Sequence, residues 1–305
     1  MITSVFNAAD DLALPFQLER PALRGRVVRL GHTVDTVLTR HAYPEPVSRQ
    51  LGELLTLAAM LSGALKYAGI FSLQVRSDGP VSLMVADMTH DGRVRGYARF
   101  DPDGVAALGA DASAEQLLGK GVLALTVEMA DQKDPYQGIV ELRPLGLTDS
   151  MLGYFRNSEQ IRTALTVEVG RLETGSGSSW RAGGVMLQRL PEEERHTEDG
   201  PVEDWRRAML LLNTVTPAEL LDPDLPAERL VARLFLEEEP RVYPPDDLTF
   251  GCRCSEEKVL NMLAGFPKEE RIAMADEEGA IEVTCQFCST LYHLDRDALS
   301  GLSDA

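Results

Sequence analysis

The first 251 residues of this chain contain no cysteine. All four cysteines lie near the C-terminus, in "FGCRCSEEKV" (Cys252 and Cys254) and in "VTCQFCSTLY" (Cys285 and Cys288). A disulfide framework spread over the whole fold is therefore excluded, because most of the chain has no thiol with which to form it. Any cysteine chemistry is confined to the C-terminal region.

Long apolar runs are missing as well. No stretch approaches the roughly 18 uninterrupted apolar residues that a membrane-spanning helix needs. The N-terminal sequence "MITSVFNAADDLALPFQLE" has neither the basic n-region nor the apolar h-region of a signal peptide. We therefore expect a cytoplasmic protein with no membrane partner. Because the cytoplasm keeps thiols reduced, paired cysteines there more often bind metal or carry redox chemistry than form structural disulfides.

Positive charge is scarce in the last third of the chain. The formal net charge is −18, and residues 1–190 carry 19 Lys and Arg against 21 Asp and Glu. Residues 191–247 carry 6 against 16, and residues 248–305 carry 5 against 11. Such an acidic region repels phosphate backbones, so we expect no nucleic-acid partner. A nucleic-acid-binding zinc ribbon is disfavoured by this acidity as well. In addition, aromatic and basic residues do not alternate in this region as they do in the stacking platforms of nucleic-acid-binding proteins.

Recognisable catalytic and nucleotide-binding motifs are also absent. The run "TGSGSSWRAGG" at 174–184 lacks the lysine and the helix of a phosphate-binding loop, and it predicts a flexible hairpin instead. Ser62 and Lys66 lie one helical turn apart but do not match the Ser-x-x-Lys spacing of a nucleophile pair. We therefore expect no enzyme. An enzyme or regulatory protein with a purely structural C-terminal zinc ribbon remains the alternative function.

What is present predicts an α+β fold in three parts. Residues 1–190 are expected to form a mixed sheet-and-helix domain. The segment "EPVSRQLGELLTLAAMLSGALKY" has a helical apolar period, with Pro46 suited to its first turn and Gly69 to its end. Alternating apolar residues on either side of the turn "SDGP" predict a β-hairpin, and several strand-like segments follow.

The second part, residues 191–247, is expected to be an acidic helical linker. Its sequence divides into short helical pieces, and isolated helices below about 12–15 residues are marginal in water. These pieces nevertheless carry large apolar residues, including Trp205 and Phe235, that must pack on something. The sequence therefore predicts a metastable linker that is folded only while it is docked.

The third part, residues 248–305, is expected to be a small zinc-binding domain. Side chains at i and i+2 of an extended segment point to the same side, so Cys252 and Cys254 can face one ion. With Cys285 and Cys288 they supply four soft sulfurs, which match a closed tetrahedral zinc site with one ion per chain. His293 could replace a ligand, but we expect it on the surface or in packing. A structural zinc without redox function remains the simplest interpretation of these residues alone.

The chain resembles the redox-regulated 33-kilodalton heat-shock chaperone family, also called HslO. The tail "FGCRCSEEKVLNML…GAIEVTCQFCSTLYHL" and the internal segment "YFRNSEQIRT" carry the most specific resemblance. Further matches are "YPEPVSRQLGELLTLAAMLSGALKYAG", "LQVRSDGPVSLMVADM" and "RAGGVMLQRLP". The resemblance covers about residues 1–293, with the acidic linker similar only in character.

This resemblance implies an ATP-independent holdase that is inactive while reduced and zinc-bound. Oxidation would join Cys252 to Cys254 and Cys285 to Cys288 as redox-active disulfides, release the zinc and unfold the linker. The partners implied are unfolded or partly folded client proteins, which the 1–190 domain would bind. The same domain would form a homodimer in the oxidised, active state. No catalytic residue is implied.

Overall fold

The structure is a computed structural model that describes residues 10–19, 22–63, 68–129, 132–174, 177–189 and 200–300. The chain forms two units, of which the first ends at Phe250 and the second begins at Gly251. Strands and helices occur in both units, so the predicted α+β class is confirmed.

The strands of the first unit are short to medium in length. In chain order they are β1 (Leu12–Leu18), β2 (Leu23–Leu30), β3 (Gly69–Ser77), β4 (Val81–Thr89), β5 (Arg93–Phe100), β6 (Gly121–Met129), β7 (Tyr136–Glu141), β8 (Thr163–Thr174), β9 (Gly177–Arg189), β10 (Pro240–Val242), β11 (Asp246–Asp247) and β12 (Thr249–Phe250). The helices of this unit are α1 (His32–Arg40), α2 (Glu45–Ser62), α3 (Pro102–Leu108), α4 (Ala114–Leu118), α5 (Leu147–Tyr154), α6 (Gly200–Leu212), α7 (Pro217–Leu221) and α8 (Ala227–Phe235).

These strands form two sheets. The first has the order β10-β1-β2-β9-β8, with β11 also paired to β1, and the second has the order β12-β5-β4-β3-β6-β7. All pairs are antiparallel except β12 with β5. The hairpin predicted around "SDGP" is confirmed as β3–β4, and most of the glycine–serine run, residues 177–184, lies within β9, which pairs with β8.

Helix α2 forms the centre of the main core. It packs against strands of both sheets, and Pro46 lies in its first turn as predicted. The predicted end at Gly69 is wrong, because the helix ends at Ser62 and Gly69 begins β3. A Cβ at Gly69 would collide with the carbonyl of Glu128, so this glycine serves close strand pairing rather than helix termination. Lys66 lies outside the described residues.

The predicted linker is described from residue 200 onward, whereas residues 191–199 lie outside the described residues. Helices α6, α7 and α8 confirm the predicted helical pieces. They pack on the first sheet, and β10 and β11 extend that sheet along β1. The described linker is therefore part of the first unit, while its role as a separable domain stays a prediction.

The second unit is small. It contains α9 (Glu256–Ala264), α10 (Lys268–Met274), the hairpin of β13 (Ile281–Thr284) and β14 (Leu291–Leu294), and α11 (Arg296–Ser300). Between the cysteine pairs the sequence predicts a helix in "SEEKVLNMLAGF" and a strand in "AIEVTC", and these are confirmed as α9 and β13, whereas α10 was not predicted. Its buried apolar core consists of Val259, Leu263, Ile281 and Leu294. In the described ranges of both units, no helix combines the length and apolar character needed to cross a membrane.

Candidate metal centre

Two segments of the second unit bring the four cysteines together. Cys252 and Cys254 lie in the extended stretch before α9, whose first turn is capped by the side chain of Ser255. Cys285 and Cys288 lie in the turn between β13 and β14. The backbone N–H of Cys285 donates to the carbonyl of Thr290 at 2.9 Å, which closes this turn. The fold of the second unit therefore brings the side chains of both cysteine pairs close together.

The four sulfurs form a cluster of the size that a metal ion requires. None of the four cysteines is in a disulfide, and their Sγ atoms lie within 4.8 Å of one another. The Sγ atoms of Cys252 and Cys285 are 3.7 Å apart, and those of Cys254 and Cys288 are 3.4 Å apart. Tetrahedral zinc with bonds of about 2.3 Å to sulfur places its ligands about 3.8 Å apart. The four predicted residues can thus hold a metal ion, and their spacing fits zinc.

Burial and hydrogen bonding shift the pKa values of Cys254, Cys285 and Cys288 in different directions. Burial raises the pKa of Cys254 to about 12 and raises the pKa of Cys285 as well. For Cys288 burial also opposes ionisation, but hydrogen bonding with the side chain and backbone of Thr290 outweighs it and lowers the pKa to about 7. Four thiolates would not coexist here at neutral pH without a cation, so metal binding would release protons.

Hydroxyl groups surround the sulfurs, and sequence reasoning did not find them. The hydroxyl of Tyr292 donates to the Sγ of Cys254 at 3.0 Å, and the Sγ of Cys288 lies 3.1 Å from the hydroxyl of Thr290. The positions of these hydroxyl groups depend on the path of the chain through the β13–β14 turn. The local sequence pattern does not predict that path. His293 does not belong to the sulfur cluster: it is exposed and lies 3.5 Å from a carboxylate oxygen of Glu282.

The second feature relevant to function is the apolar contact between the described linker and the first sheet, which we call the docking cluster. Phe16 of β1 stacks on Phe235 of α8 with ring centroids 5.7 Å apart. Gly183 of β9 permits the close approach of α7, since a Cβ there would collide with the carbonyl of Leu220. The buried members of the docking cluster are Leu12, Leu14, Phe16, Leu18, Leu23, Val27, Ala164, Val185, Leu187, Ala208, Leu212, Leu220, Ala227, Leu230, Val231, Leu234 and Phe235.

Two buried arginines of the first sheet also hold the linker, and we call this the arginine clamp. Arg29 donates to the carbonyl of Asp222, just after α7, and Arg181 donates to the carbonyl of Leu221 at 2.6 Å. The carboxylate of Asp10 pairs with both guanidinium groups, at 3.7 Å from Arg29 and 2.5 Å from Arg181. The clamp was not predicted, because its partners are distant in sequence and are backbone atoms.

Comparisons with known proteins agree on one family. A family model described as "Hsp33 protein" matches residues 11–295. A "33 kDa chaperonin" of Caulobacter vibrioides is 40% identical over 290 residues, covering 94% of this chain and 95% of the relative. A "33 kDa chaperonin" of Nitrosococcus oceani is 37% identical over 281 residues, covering 92% and 90%.

A solved structure shares the fold. The crystal structure of a 33 kDa chaperonin from Thermotoga maritima superposes with a TM-score of 0.78 at 23% identity and covers 96% of this chain and 97% of its own. The family model spans almost the whole chain, including all four clustered cysteines. The chain therefore belongs to the Hsp33 family of redox-regulated heat-shock chaperones, as its cysteine tail predicts.

Proposed function

We propose that this protein is an ATP-independent holdase, held inactive by a zinc-bound C-terminal unit and activated by thiol oxidation. The observation that carries the proposal is the cluster of four thiols in a unit whose buried apolar core has only four members among its described residues. So small a core supplies little stability, so the unit depends on what its sulfurs bind. The proposed activity is binding rather than catalysis.

Cys252, Cys254, Cys285 and Cys288 would hold one zinc ion as thiolates. A bound divalent cation would offset half of the negative charge of the four thiolates and link the segment before α9 to the β13–β14 turn. The donor set supports zinc over magnesium or calcium, because those ions prefer oxygen ligands.

Oxidation would convert the cluster into disulfides. Each disulfide forms when two thiols lose two electrons and two protons to an oxidant such as hydrogen peroxide, which is reduced to water. The family resemblance supports the pairs Cys252–Cys254 and Cys285–Cys288, whereas four sulfurs within 4.8 Å also permit pairing between the segments. One disulfide already leaves two thiolates, too few for firm metal binding.

Loss of the folded C-terminal unit would then destabilise the linker, which is covalently joined to it through residues 248–251. Release of the linker would uncover the sheet side of the docking cluster, including Leu14, Phe16 and Leu187. Such apolar surface could bind the exposed apolar segments of unfolding client proteins. We further propose that the active form is a homodimer and that it works in the cytoplasm.

The test compares reduced and peroxide-treated protein under mild unfolding stress. Zinc release, free thiols and aggregation of an unfolded client are measured in parallel, and disulfides are mapped by mass spectrometry. We expect oxidation to release zinc and suppress aggregation, and dithiothreitol with zinc to reverse both. Equal protection by the reduced, zinc-loaded protein would contradict the redox switch, and cross-segment disulfides would contradict the pairing.

A further inference from the structure

A cavity of about 450 Å³ lies between the segment "YFRNSEQIRT" (154–163) and helix α6. This segment carries the most specific resemblance outside the cysteine tail, and the proposed function gives it no role. The cavity is within the size range of small-molecule sites in proteins. Its lining includes Arg156, Gln160, Ile161, Arg162, Trp205 and Met209. Residues of the docked linker thus form one wall of the cavity, and residues that precede the linker form the other.

The backbone of this segment has two rare features in succession. Residues Phe155–Glu159 form a π-helical turn directly after α5, and such turns are rare overall but frequent at functional sites. The next residue, Gln160, has a φ of +55°, in the left-handed region that residues other than glycine seldom adopt. Strained residues of this kind concentrate at ligand-binding sites. Together the two features place the side chains of Arg156 and Arg162 on the same cavity.

Hydrogen bonds from two tyrosines hold the π-helical turn in place. The hydroxyl groups of Tyr136 and Tyr154 donate to the same carboxylate oxygen of Glu159, at 2.8 Å and 2.5 Å. Gly138 of β7 makes room for the ring of Tyr154, since a Cβ there would lie 2.6 Å from its hydroxyl oxygen. The carboxylate of Glu159 is therefore bound to the tyrosines, and Glu159 is not among the residues that line the cavity.

The lining of the cavity combines positive charge with apolar surface. Arg156 and Arg162 have exposed side chains, and no described acidic residue lines the cavity. Asp204 precedes Trp205 on α6, but its carboxylate pairs with Arg207 at 3.3 Å. The described residues therefore supply the two guanidinium groups of the cavity with no carboxylate partner. The apolar surface comes from Leu152, Ile161, Trp205 and Met209.

We propose that this cavity binds an organic monocarboxylate with an aliphatic body, such as a medium-chain fatty acid. The guanidinium groups of Arg156 and Arg162 would bind the carboxylate, because the planar fork of arginine matches its two oxygens. The indole of Trp205 and the flexible thioether of Met209 would cover the aliphatic chain. A small inorganic anion would leave the apolar lining in contact with water, and an uncharged chain would leave both arginines without a partner.

Ligand binding would stabilise the docked linker. Trp205 and Met209 lie on α6, whereas the two arginines precede the linker, so the complete cavity exists only while α6 is docked. A ligand that binds only this state lowers the population of the undocked linker, by about a hundredfold when the free ligand concentration is 100 times Kd. The effect on client protection rests on the proposed function, whereas ligand binding does not.

The first test measures binding to the reduced, zinc-loaded full chain. Decanoate below its micelle concentration is the probe, 1-decanol lacks the charge, and acetate lacks the chain. We expect calorimetry to show an affinity for decanoate at least about tenfold higher than for either control compound. Equal affinities for decanoate and 1-decanol would overturn the proposal.

The position of the ligand is tested by fluorine NMR. The chain has two tryptophans, Trp180 and Trp205, so protein labelled with 5-fluorotryptophan gives one signal for each. Trp180 is buried in β9 and does not line the cavity. We expect decanoate to shift the signal of Trp205 and to leave that of Trp180 in place. A shift of the Trp180 signal alone would overturn the location of the site.

The next test removes the charges one at a time. Arg156→Met and Arg162→Met keep an unbranched side chain and lose the guanidinium group, so we expect the affinity for decanoate to fall at least about tenfold in each. Arg206→Met is the matched control, because Arg206 is an exposed arginine of α6 that does not line the cavity. Met209→Glu places a carboxylate on the lining and should abolish binding while both arginines remain. Unchanged affinity in both arginine variants would overturn the proposal.

Hydrogen exchange tests the effect on the linker and separates this proposal from the proposed function. With decanoate at 100 times Kd, amides of α6 that exchange through linker opening should slow by about a hundredfold, while amides of α9 in the second unit should not change. Binding without slower exchange of α6 would overturn the stabilisation of the linker. Zinc release and client protection are measured on the same samples. A protein that binds decanoate in this cavity but never protects clients would contradict the proposed function and support the site.

Discussion

The two units of this protein reach their folds by different physical means. The first unit buries a large apolar core around α2 and a second apolar layer, the docking cluster, on the outside of its first sheet. The core of the second unit has four buried apolar side chains, supplied by α9 and the β13–β14 hairpin, and the unit also holds the four sulfurs. Burial can hold the first unit without a ligand, whereas the second has the donor set for a metal ion and, in the proposed function, depends on it. A reaction at four atoms can therefore unfold one unit and leave the other intact.

The largest effect should come from Cys285→Ser. A hydroxyl is a poor ligand for a soft-thiolate site, and the metal contributes about 10 kcal/mol or more to folding in small zinc domains. We expect the variant to lose zinc and the second unit to unfold, while the first unit keeps its core. Metal analysis and hydrogen exchange of each unit would measure this. His293→Ala is the matched control, and wild-type zinc retention by Cys285→Ser would refute the ligand assignment.

The next largest effect should come from Phe235→Ala in the docking cluster. Truncation of a buried phenylalanine costs about 3–5 kcal/mol, and here it also removes the stacking on Phe16. We expect the linker to detach while α2 and both sheets stay folded. Limited proteolysis should then cut first within about 191–247 in the reduced protein. Leu236→Ala, a truncation at an exposed site, should leave the pattern unchanged. Uniform cutting of the Phe235→Ala chain would show that the linker is not a separate layer.

The arginine clamp should have a somewhat smaller effect. Arg181→Met leaves the carboxylate of Asp10 with one partner fewer and the carbonyl of Leu221 without this donor, which costs about 2–4 kcal/mol. We expect partial protection of clients by the reduced, zinc-loaded variant. Arg206→Met, at an exposed ion pair of α6, is the control. A reduced Arg181→Met protein as inactive as wild type would show that the clamp does not hold the linker.

The smallest effect should come from Glu219, which links α7 to α8. Hydrogen bonds from Arg233 lower the pKa of Glu219 to about 2, from an ordinary 4.5. The pair therefore stabilises the linker above pH 4.5, and this contribution is lost as the pH falls towards 2. We expect Glu219→Gln to cost about 1 kcal/mol at pH 7, because the pair is partly exposed, and nothing near pH 2.

Hydrogen exchange of the α7 and α8 amides would follow this effect, with the exposed Glu237→Gln as the control. If Glu219→Gln lowered the stability of the linker equally at both pH values, the charge of Glu219 would not be the cause.

Local sequence patterns were sufficient for the cysteine cluster and for most single elements. The spacing of Cys252, Cys254, Cys285 and Cys288 predicted one cluster because each pair is set by local geometry, and the "SDGP" hairpin is local too. The sequence placed the end of α2 too late, at Gly69. This glycine pairs with Met129 of β6 instead, and such a long-range contact leaves no local signal. The contacts of Arg29 with the end of α7 join residues about 190 positions apart and leave no local pattern.

The stretch just before the C-terminal unit has a consequence for recovery after stress. Asp246–Asp247 pairs with β1, Thr249–Phe250 pairs with β5, and Leu248 is buried between them. At the N-terminal end of the linker, the backbone N–H of Arg189 donates to the backbone carbonyl of Arg162. A released linker is thus a closed loop of about 56 residues rather than a loose tail, and such loops keep their helices at high effective concentration. Re-docking after reduction should be first-order and independent of protein concentration.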